Sequence, residues 1–342
     1  FRTPPPYLPS LASFSPPNNK LDWIWDWILD WISRPCTRRA QVGLPGRAQD
    51  GNVQASFIVG LDFWHPIRGE RVGEAAHPGP TLVDVVTLNC SGRPQLDLAL
   101  SHYRHTLGRG VPVGALLVQE HHARGNAFAD MQAHARRGQW QLHGAAASLD
   151  GLKAKLPTAG VAVAAPCHVG LAAPGRLRHD VSPIGSPGRV AAGWVDTVVR
   201  GGILLISVYL WVTEGMTARN WTILYEAAAA ARAHGGPFLI AGDFNMTPQE
   251  LREEAHQWLT ALGGRIIAPG AATVRSSLGG RTIDFGIIDA RIEHAVEKVF
   301  VDDTLLSSPH QAVVFRFRNN ATRQLVKQMI RPKCFGSERP IG

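Results

Sequence analysis

Apolar and polar positions along the chain follow two rhythms. From residue 82 onward, short apolar runs recur, each beside a polar residue: Leu82–Leu88 before Asn89, Gly114–Val118 before Gln119-Glu120, Ile203–Val208 before Tyr209, and Phe238–Ala241 before Gly242-Asp243-Phe244-Asn245. Arg281-Thr282-Ile283 carries Asp284 into Phe285–Ile288, and Ser308-Pro309-His310 precedes Ala312–Phe315. Runs this short, rich in Val, Ile, Leu and Phe and bounded by Gly, Pro or Asn, predict buried strands. The second rhythm is helical. It predicts helices over Gln95–Leu107, over the alanine-rich Thr217–His234 with Gly235-Gly236 as its stop, and over Pro248–Leu262. Pro248 suits a first turn, and Glu250, Glu253 and Glu254 suit the positive end of the helix dipole. Thr158–Ala165, Arg189–Val199 and Gly202–Leu210 follow one another with no helix between them. Consecutive strands with covering helices imply two packed sheets.

The first 80 residues read differently. Residues 1–19 hold Pro4, Pro5, Pro6, Pro9, Pro16 and Pro17, a composition that favours extended, unpacked chain. Within 21–32, Asp22, Asp26 and Asp30 fall on one helical stripe, with Trp and Ile on the remainder. Such a face packs on the domain, binds a partner or touches a membrane interface, or it belongs to translated sequence of little structural meaning. Residues 33–80 are rich in Gly, Pro and Arg, Glu74–Pro80 reads as a linker ending where the first strand starts, and Pro174–Pro187 reads as a loop over a sheet edge. The expected organisation is an extension over 1–80, a domain over 81–318 and a basic tail over 319–342.

Charge adds a partner class. The 342 residues carry 35 Lys and Arg against 27 Asp and Glu, a formal +8. Residues 81–342 hold most of the excess, with +4 in the tail alone, which favours a polyanion. The four cysteines, Cys36, Cys90, Cys167 and Cys334, form no C-x-x-C pair, so neither a zinc site nor a disulfide framework is expected, and a reducing compartment is. No apolar run reaches membrane-span length. The chain begins with Phe1, which reads as a fragment or an incomplete gene model.

Asp243 and Asn245 are the candidate chemistry. Residues i and i+2 of an extended segment point the same way, so both side chains can meet one phosphate from the end of a strand. Asp-x-Asn after an apolar run is equally an ordinary turn in which short polar side chains bond their own backbone.

Taken in order, Asn, Gln-Glu, Tyr, Gly-Asp-x-Asn, Ile-Asp and Ser-x-His, each beside a strand, resemble the endonuclease/exonuclease/phosphatase superfamily. That superfamily includes deoxyribonuclease I, the apurinic endonucleases and the endonuclease domains of non-LTR retrotransposons. The resemblance covers residues 81–318. It implies an α+β fold, a four-layer α/β/β/α sandwich of two mixed sheets packed face to face with helices outside. It also implies a phosphodiester hydrolase using Mg²⁺ (or Mn²⁺) and acting on nucleic acid, DNA above all. The sequence gives no cellular address; an intracellular one is favoured, nuclear if the chain is of retrotransposon origin. By resemblance, Glu120 is the principal metal ligand and Asn89 assists it. Asp243 positions or deprotonates the attacking water, Asn245 and Tyr209 bind the phosphate oxygen, and Asp284 holds His310.

His121 and His122 do not form a metal site, because adjacent side chains diverge on an extended chain and no H-x-x-x-H helix is present. Both are expected to line the groove. Two departures from the family pattern stand out. Ser308-Pro309-His310 replaces Ser-Asp-His, and proline supplies no oxygen ligand from its side chain. Tyr209-Leu210-Trp211 lacks the usual Pro-Asn. A nucleic-acid-binding remnant without activity is therefore the second expectation. A phosphatase on a small or lipid phosphate is the third, its inositol-phosphatase branch disfavoured because Met246-Thr247-Pro248 follows Asn245 where inositol phosphatases carry an aromatic-Arg pair.

Overall fold

The computed structural model describes residues 82–104, 110–149, 158–173, 188–199, 201–276 and 279–319. The 1–80 extension with its Trp-rich 21–32 segment, the 174–187 loop and all but the first residue of the 319–342 tail lie outside the described residues.

In chain order the elements are β1 (Leu82–Asn89), α1 (Arg93–Arg104), β2 (Val113–Gln119), α2 (Gly125–Arg137), β3 (Trp140–Ala145), β4 (Val161–Pro166), β5 (Val190–Val195), β6 (Ile203–Tyr209) and α3 (Ala218–His234). There follow β7 (Phe238–Asp243), α4 (Pro248–Glu254), α5 (His256–Leu262), β8 (Gly264–Ile267), β9 (Val274–Ser276), β10 (Gly279–Arg281), β11 (Asp284–Asp289), a 3-10 turn (Ala290–Ala295), β12 (Val296–Asp302) and β13 (Ala312–Arg318). Among them, one sheet runs β12-β13-β1-β2-β4-β3 and the other β5-β6-β7-β11-β8, while β9 and β10 form a hairpin. Each large sheet contains one parallel pair, β1 with β2 and β6 with β7, in an otherwise antiparallel ladder.

Alternation along β1 shows why the sheets stack. Val83 and Val85 join Ala115, Leu117, Leu205, Leu239 and Phe315 in a core between the sheets. Val86 and Leu88 point the other way, into a second core with Leu96, Leu100 and Tyr103 of α1 and Met131 and Ala135 of α2. Both faces of the strand are buried, so it reads as one apolar run. On the far side, α3 buries Ile223, Leu224, Ala227 and Ala231 and packs against β5 and β6. Helix, sheet, sheet, helix is the four-layer sandwich.

Three details differ from the sequence reading. The expected helix over 248–262 is two, because Ala255 leaves helical geometry at φ −115° and ψ 19° even though Ala255 N–H still reaches Leu251 O and Leu259 N–H still reaches Ala255 O. The helix α2 and the strands β3, β8, β9, β10 and β12 have no counterpart among the sequence expectations. In α2 only Met131 and Ala135 are buried, too sparse an apolar stripe to declare itself by periodicity. The strand expected to run from Arg281 through Asp284 is broken at Thr282-Ile283, where Thr273 Oγ1 accepts both the Ile283 and Asp284 N–H groups. Among the described residues no helix is long and apolar enough to cross a membrane.

Candidate active site

The carboxyl ends of the two parallel strand pairs meet at one edge of the sandwich. Asn89 ends β1 beside Gln119 of β2, and Tyr209 ends β6 beside Asp243 of β7. Asp284 opens β11 directly across from Asp243. A buried polar bridge beneath this edge ties the sheets together. Gln119 Nε2 donates to Ser207 Oγ at 2.8 Å and Thr87 Oγ1 at 3.1 Å, and Ser207 Oγ donates to Val118 O at 2.9 Å. Gln119, first half of the Gln-Glu motif, is thus structural, and the chain turns after it so that Glu120, at φ 57°, aims into the site.

Asn89 is the hub. Its Nδ2 donates to Glu120 Oε1 at 2.9 Å and to Asp243 Oδ2 at 3.0 Å, and lies 3.4 Å from His310 Nε2. Ser91 N–H fixes the other end of the amide by donating to Asn89 Oδ1 at 3.0 Å. That bond settles which atom faces inward. His310 Nδ1 lies 3.0 Å from Asp284 Oδ2, which places Nε2 3.7 Å from Asp243 Oδ2. Tyr209 hydrogen-bonds the Glu120 carboxylate through its side chain, and His122 Nε2 approaches the same group at 3.4 Å.

Asn245 is placed by a turn. The strand ends at Asp243, Phe244 is buried against Phe285, and Asn245 takes a left-handed conformation at φ 52°. Its N–H donates to Asp243 Oδ1 at 2.9 Å, the local turn bond, while its Nδ2 donates to Leu210 O at 2.8 Å. The turn and the site are the same object. The extended i and i+2 geometry expected for this pair is absent.

Charge is arranged unequally. Burial would raise the Glu120 pKa, yet hydrogen bonds from His122, Tyr209 and Asn89 outweigh it and hold Glu120 down at about 2. Asp243 is pushed up, first by burial and then by the neighbouring Asp284 charge. Burial would lower His310, but the Asp284 bond and the Asp284, Asp243 and Glu120 charges raise it to about 9. A folded pKa above the ordinary 6.5 contributes stability that is complete below 6.5 and is lost as pH rises through 9. In EDTA, urea unfolding is expected to show a loss of up to about 3 kcal/mol from His310 between pH 6.5 and pH 9.5, and a shallower pH slope in His310→Gln, where raised carboxyl groups such as Asp243 still titrate. Equal pH slopes in the two proteins would remove His310 from that role.

The donor set suits a hard divalent cation only sparsely. Glu120 offers an ionised, partly open carboxylate, and a cation such as Mg²⁺ accepts one or two carboxylates while keeping waters. Asn89 turns N–H, a donor, toward Glu120, so it orients that carboxylate and does not present an oxygen. Ligand atoms of Asp243, Asp284 and His310 lie within 4.8 Å of one another, but Asp284 and His310 are engaged with each other. Pro309 is exposed and its carbonyl accepts the Arg275 N–H, so no side-chain oxygen comes from that side.

The two neighbouring histidines part ways. His121 does not line the groove: it is buried, stacked on Phe128, takes the Ala123 N–H on Nδ1 and lies 3.2 Å from Ala145 O through Nε2. Burial lowers its pKa to about 4, which keeps the ring neutral. His122, also in left-handed backbone, is the one that faces Glu120. Sequence reasoning also passed over Thr273 and Arg189. Arg189 is buried and donates through Nη1 to Tyr209 O at 3.2 Å and Leu210 O at 3.4 Å. No motif marks either residue, because their partners are remote in sequence.

No family model matches the sequence, and no curated protein does. Solved structures do match. An AP endonuclease from Leishmania major superposes with a TM-score of 0.50 at 15% identity, over 70% of this chain and 88% of that one. The endonuclease domain of TRAS1, a telomere-specific non-LTR retrotransposon, aligns at TM-score 0.47 and 15% identity, over 69% and 98%. A 3'-5' exonuclease from Neisseria meningitidis aligns at TM-score 0.47 and 20% identity, over 68% and 99%. The chain has the endonuclease/exonuclease/phosphatase fold.

Proposed function

We propose that this protein is a divalent-cation-dependent phosphodiester hydrolase that nicks DNA, an endonuclease of the non-LTR retrotransposon type. The observation that carries this reading is the meeting of Asn89, Glu120, Tyr209, Asp243, Asp284 and His310 at one sheet edge. Hydrolysis needs an activated water, stabilised phosphate oxygens and a protonated leaving group, so catalysis is mainly positioning and electrostatics. Asp243, with its raised pKa, is the base that takes the proton from water. His310 is positively charged at neutral pH, and its Nε2 side faces the phosphate oxygens with Asp284 holding the ring. Asn245 spends one amide hydrogen on Leu210 O and keeps the other for a phosphate oxygen. Tyr209 and Asn89 hold Glu120 in its ionised form. Mg²⁺ or Mn²⁺, held by Glu120 with waters completing its shell, would neutralise charge developing on the phosphate.

The test is supercoiled plasmid incubated with the full chain in Mg²⁺, in Mn²⁺ and in EDTA. Nicking in Mg²⁺ is expected, lost in EDTA and reduced about 100-fold in Glu120→Ala. Pro309→Asp is expected to nick several-fold faster, since an added carboxylate at an exposed position costs no burial and supplies the missing anionic oxygen. Wild-type activity in Glu120→Ala would place the chemistry elsewhere. Plasmid binding without cleavage in any cation would favour the inactive remnant.

A further inference from the structure

The loop leaving β6 carries a feature that the proposed reaction does not use. Trp211 stands two residues beyond Tyr209, half-buried, with Arg189 Cζ 3.4 Å and Arg219 Cζ 4.3 Å from its ring centroid. Both guanidinium groups lie against the indole. The two cations differ in freedom. Arg189 is buried, bonded to the carbonyls of Tyr209 and Leu210, and its Nε has no hydrogen-bond partner among the described residues. Arg219 is 58% exposed and, besides the ring contact, is paired among the described residues with Glu214, at 3.0 Å. The Trp211 backbone is fixed by Asn220, which is fully buried. Its Oδ1 accepts the Trp211 N–H at 2.7 Å, and its Nδ2 donates to Trp211 O at 3.2 Å and Gly215 O at 2.7 Å.

This is an unusual amount of construction for a loop residue whose neighbours Val212 and Thr213 are exposed. It also borders the site: Asn245 bonds Leu210 O, and Tyr209 bonds Glu120. We propose that Trp211 is the stacking platform for the nucleobase beside the scissile phosphate, and that Arg219 leaves the indole to pair with the adjoining phosphate when that base arrives. The inference rests on the phosphodiesterase reading and names how that site grips its substrate. A ring backed on one face by a fixed buried cation is pre-organised, so the incoming base orders little else. The exposed guanidinium exchanges a weak ring contact for a charge-assisted one to phosphate. Because every base has a π-face, the platform selects for an unstacked nucleotide and not for a sequence.

The experiment measures binding of the full chain to fluorescent oligothymidines in EDTA. A second set of the same oligonucleotides has every thymine replaced by non-planar 5,6-dihydrothymine. Wild type is expected to lose about tenfold in affinity on that replacement. Trp211→Leu should bind oligothymidine about tenfold more weakly and lose the preference for thymine over dihydrothymine, Trp211→Phe should recover most of both, and Arg219→Ala should reduce the salt dependence by about one phosphate contact. Arg219 is exposed, so its replacement leaves folding intact should Trp211→Leu fail to fold. A Trp211→Leu profile matching wild type, with the plasmid still nicked, overturns the platform alone. Neither binding nor nicking by wild type overturns the platform together with the reading beneath it.

Discussion

Asp243→Asn is expected to slow plasmid nicking about 1000-fold while leaving the protein folded. The carboxylate is 1% exposed and receives the Asn245 N–H on Oδ1 and the Asn89 amide on Oδ2. An asparagine of the same shape keeps one acceptor oxygen, loses one of these bonds and cannot take a proton from water. The lost bond costs about 1 kcal/mol. Against it, burial and the Asp284 charge already disfavour ionised Asp243 in the folded state, so removing that charge returns stability at pH 8, above its raised pKa. Catalysis should therefore collapse while the melting temperature at pH 8 moves by only a few degrees. Nicking within tenfold of wild type would remove Asp243 from the role of base. A collapse of melting as large as the loss of activity would make the residue structural.

Gly242→Ala, one position earlier, should do the opposite and damage the fold itself. A Cβ there would stand 1.9 Å from Val208 O and 2.9 Å from Val208 C, atoms of its direct partner in the parallel ladder. The neighbour is backbone of β6, clamped between β5 and β7, so it has nowhere to go. Overpacking of this kind costs about 3 kcal/mol, a fall of about 10 °C in a domain of this size. Gly270→Ala, with nothing within 4 Å of the added carbon, is the control and should melt like wild type. Equal melting of the two variants would mean that β6 and β7 are not packed as described. Activity would fall in Gly242→Ala as well, because Tyr209 and Asp243 are carried on the displaced pair.

The glycine of Gly-Asp-Phe-Asn and its aspartate thus answer to different demands, and the sequence shows only that they are adjacent. Much else was legible locally. A strand buried on both faces reads as an apolar run, and β1, β2, β6 and β7 were placed within a residue or two by that signal alone, while β13 runs three residues past the expected Phe315. The polar residues at their ends, Asn89, Glu120, Tyr209 and Asp243, and the Asp284 that opens β11, stood out because nothing in a buried strand calls for them. Elements with little burial were silent. The strand β10 is exposed throughout, and β12 is exposed or only part-buried along most of its length, so neither carries a marked period.

The sequence by itself determined where the strands buried on both faces lie, that they stack as two sheets, and which polar side chains stand at their ends, because these follow from apolar period and chain order within a few residues. The tertiary structure alone decided what those side chains do to one another. The Asn89 amide faces Asp243 across 154 residues of chain, and Ser91 settles that nitrogen and not oxygen points inward. Of two adjacent histidines, packing against Phe128 took His121 into the core and left His122 at Glu120. Arg189 and Arg219 meet on Trp211 from separate elements. Each of these outcomes depends on atoms brought together by the sandwich, and hydrogen-bond direction and ring contact leave no trace in a linear pattern of polar and apolar residues.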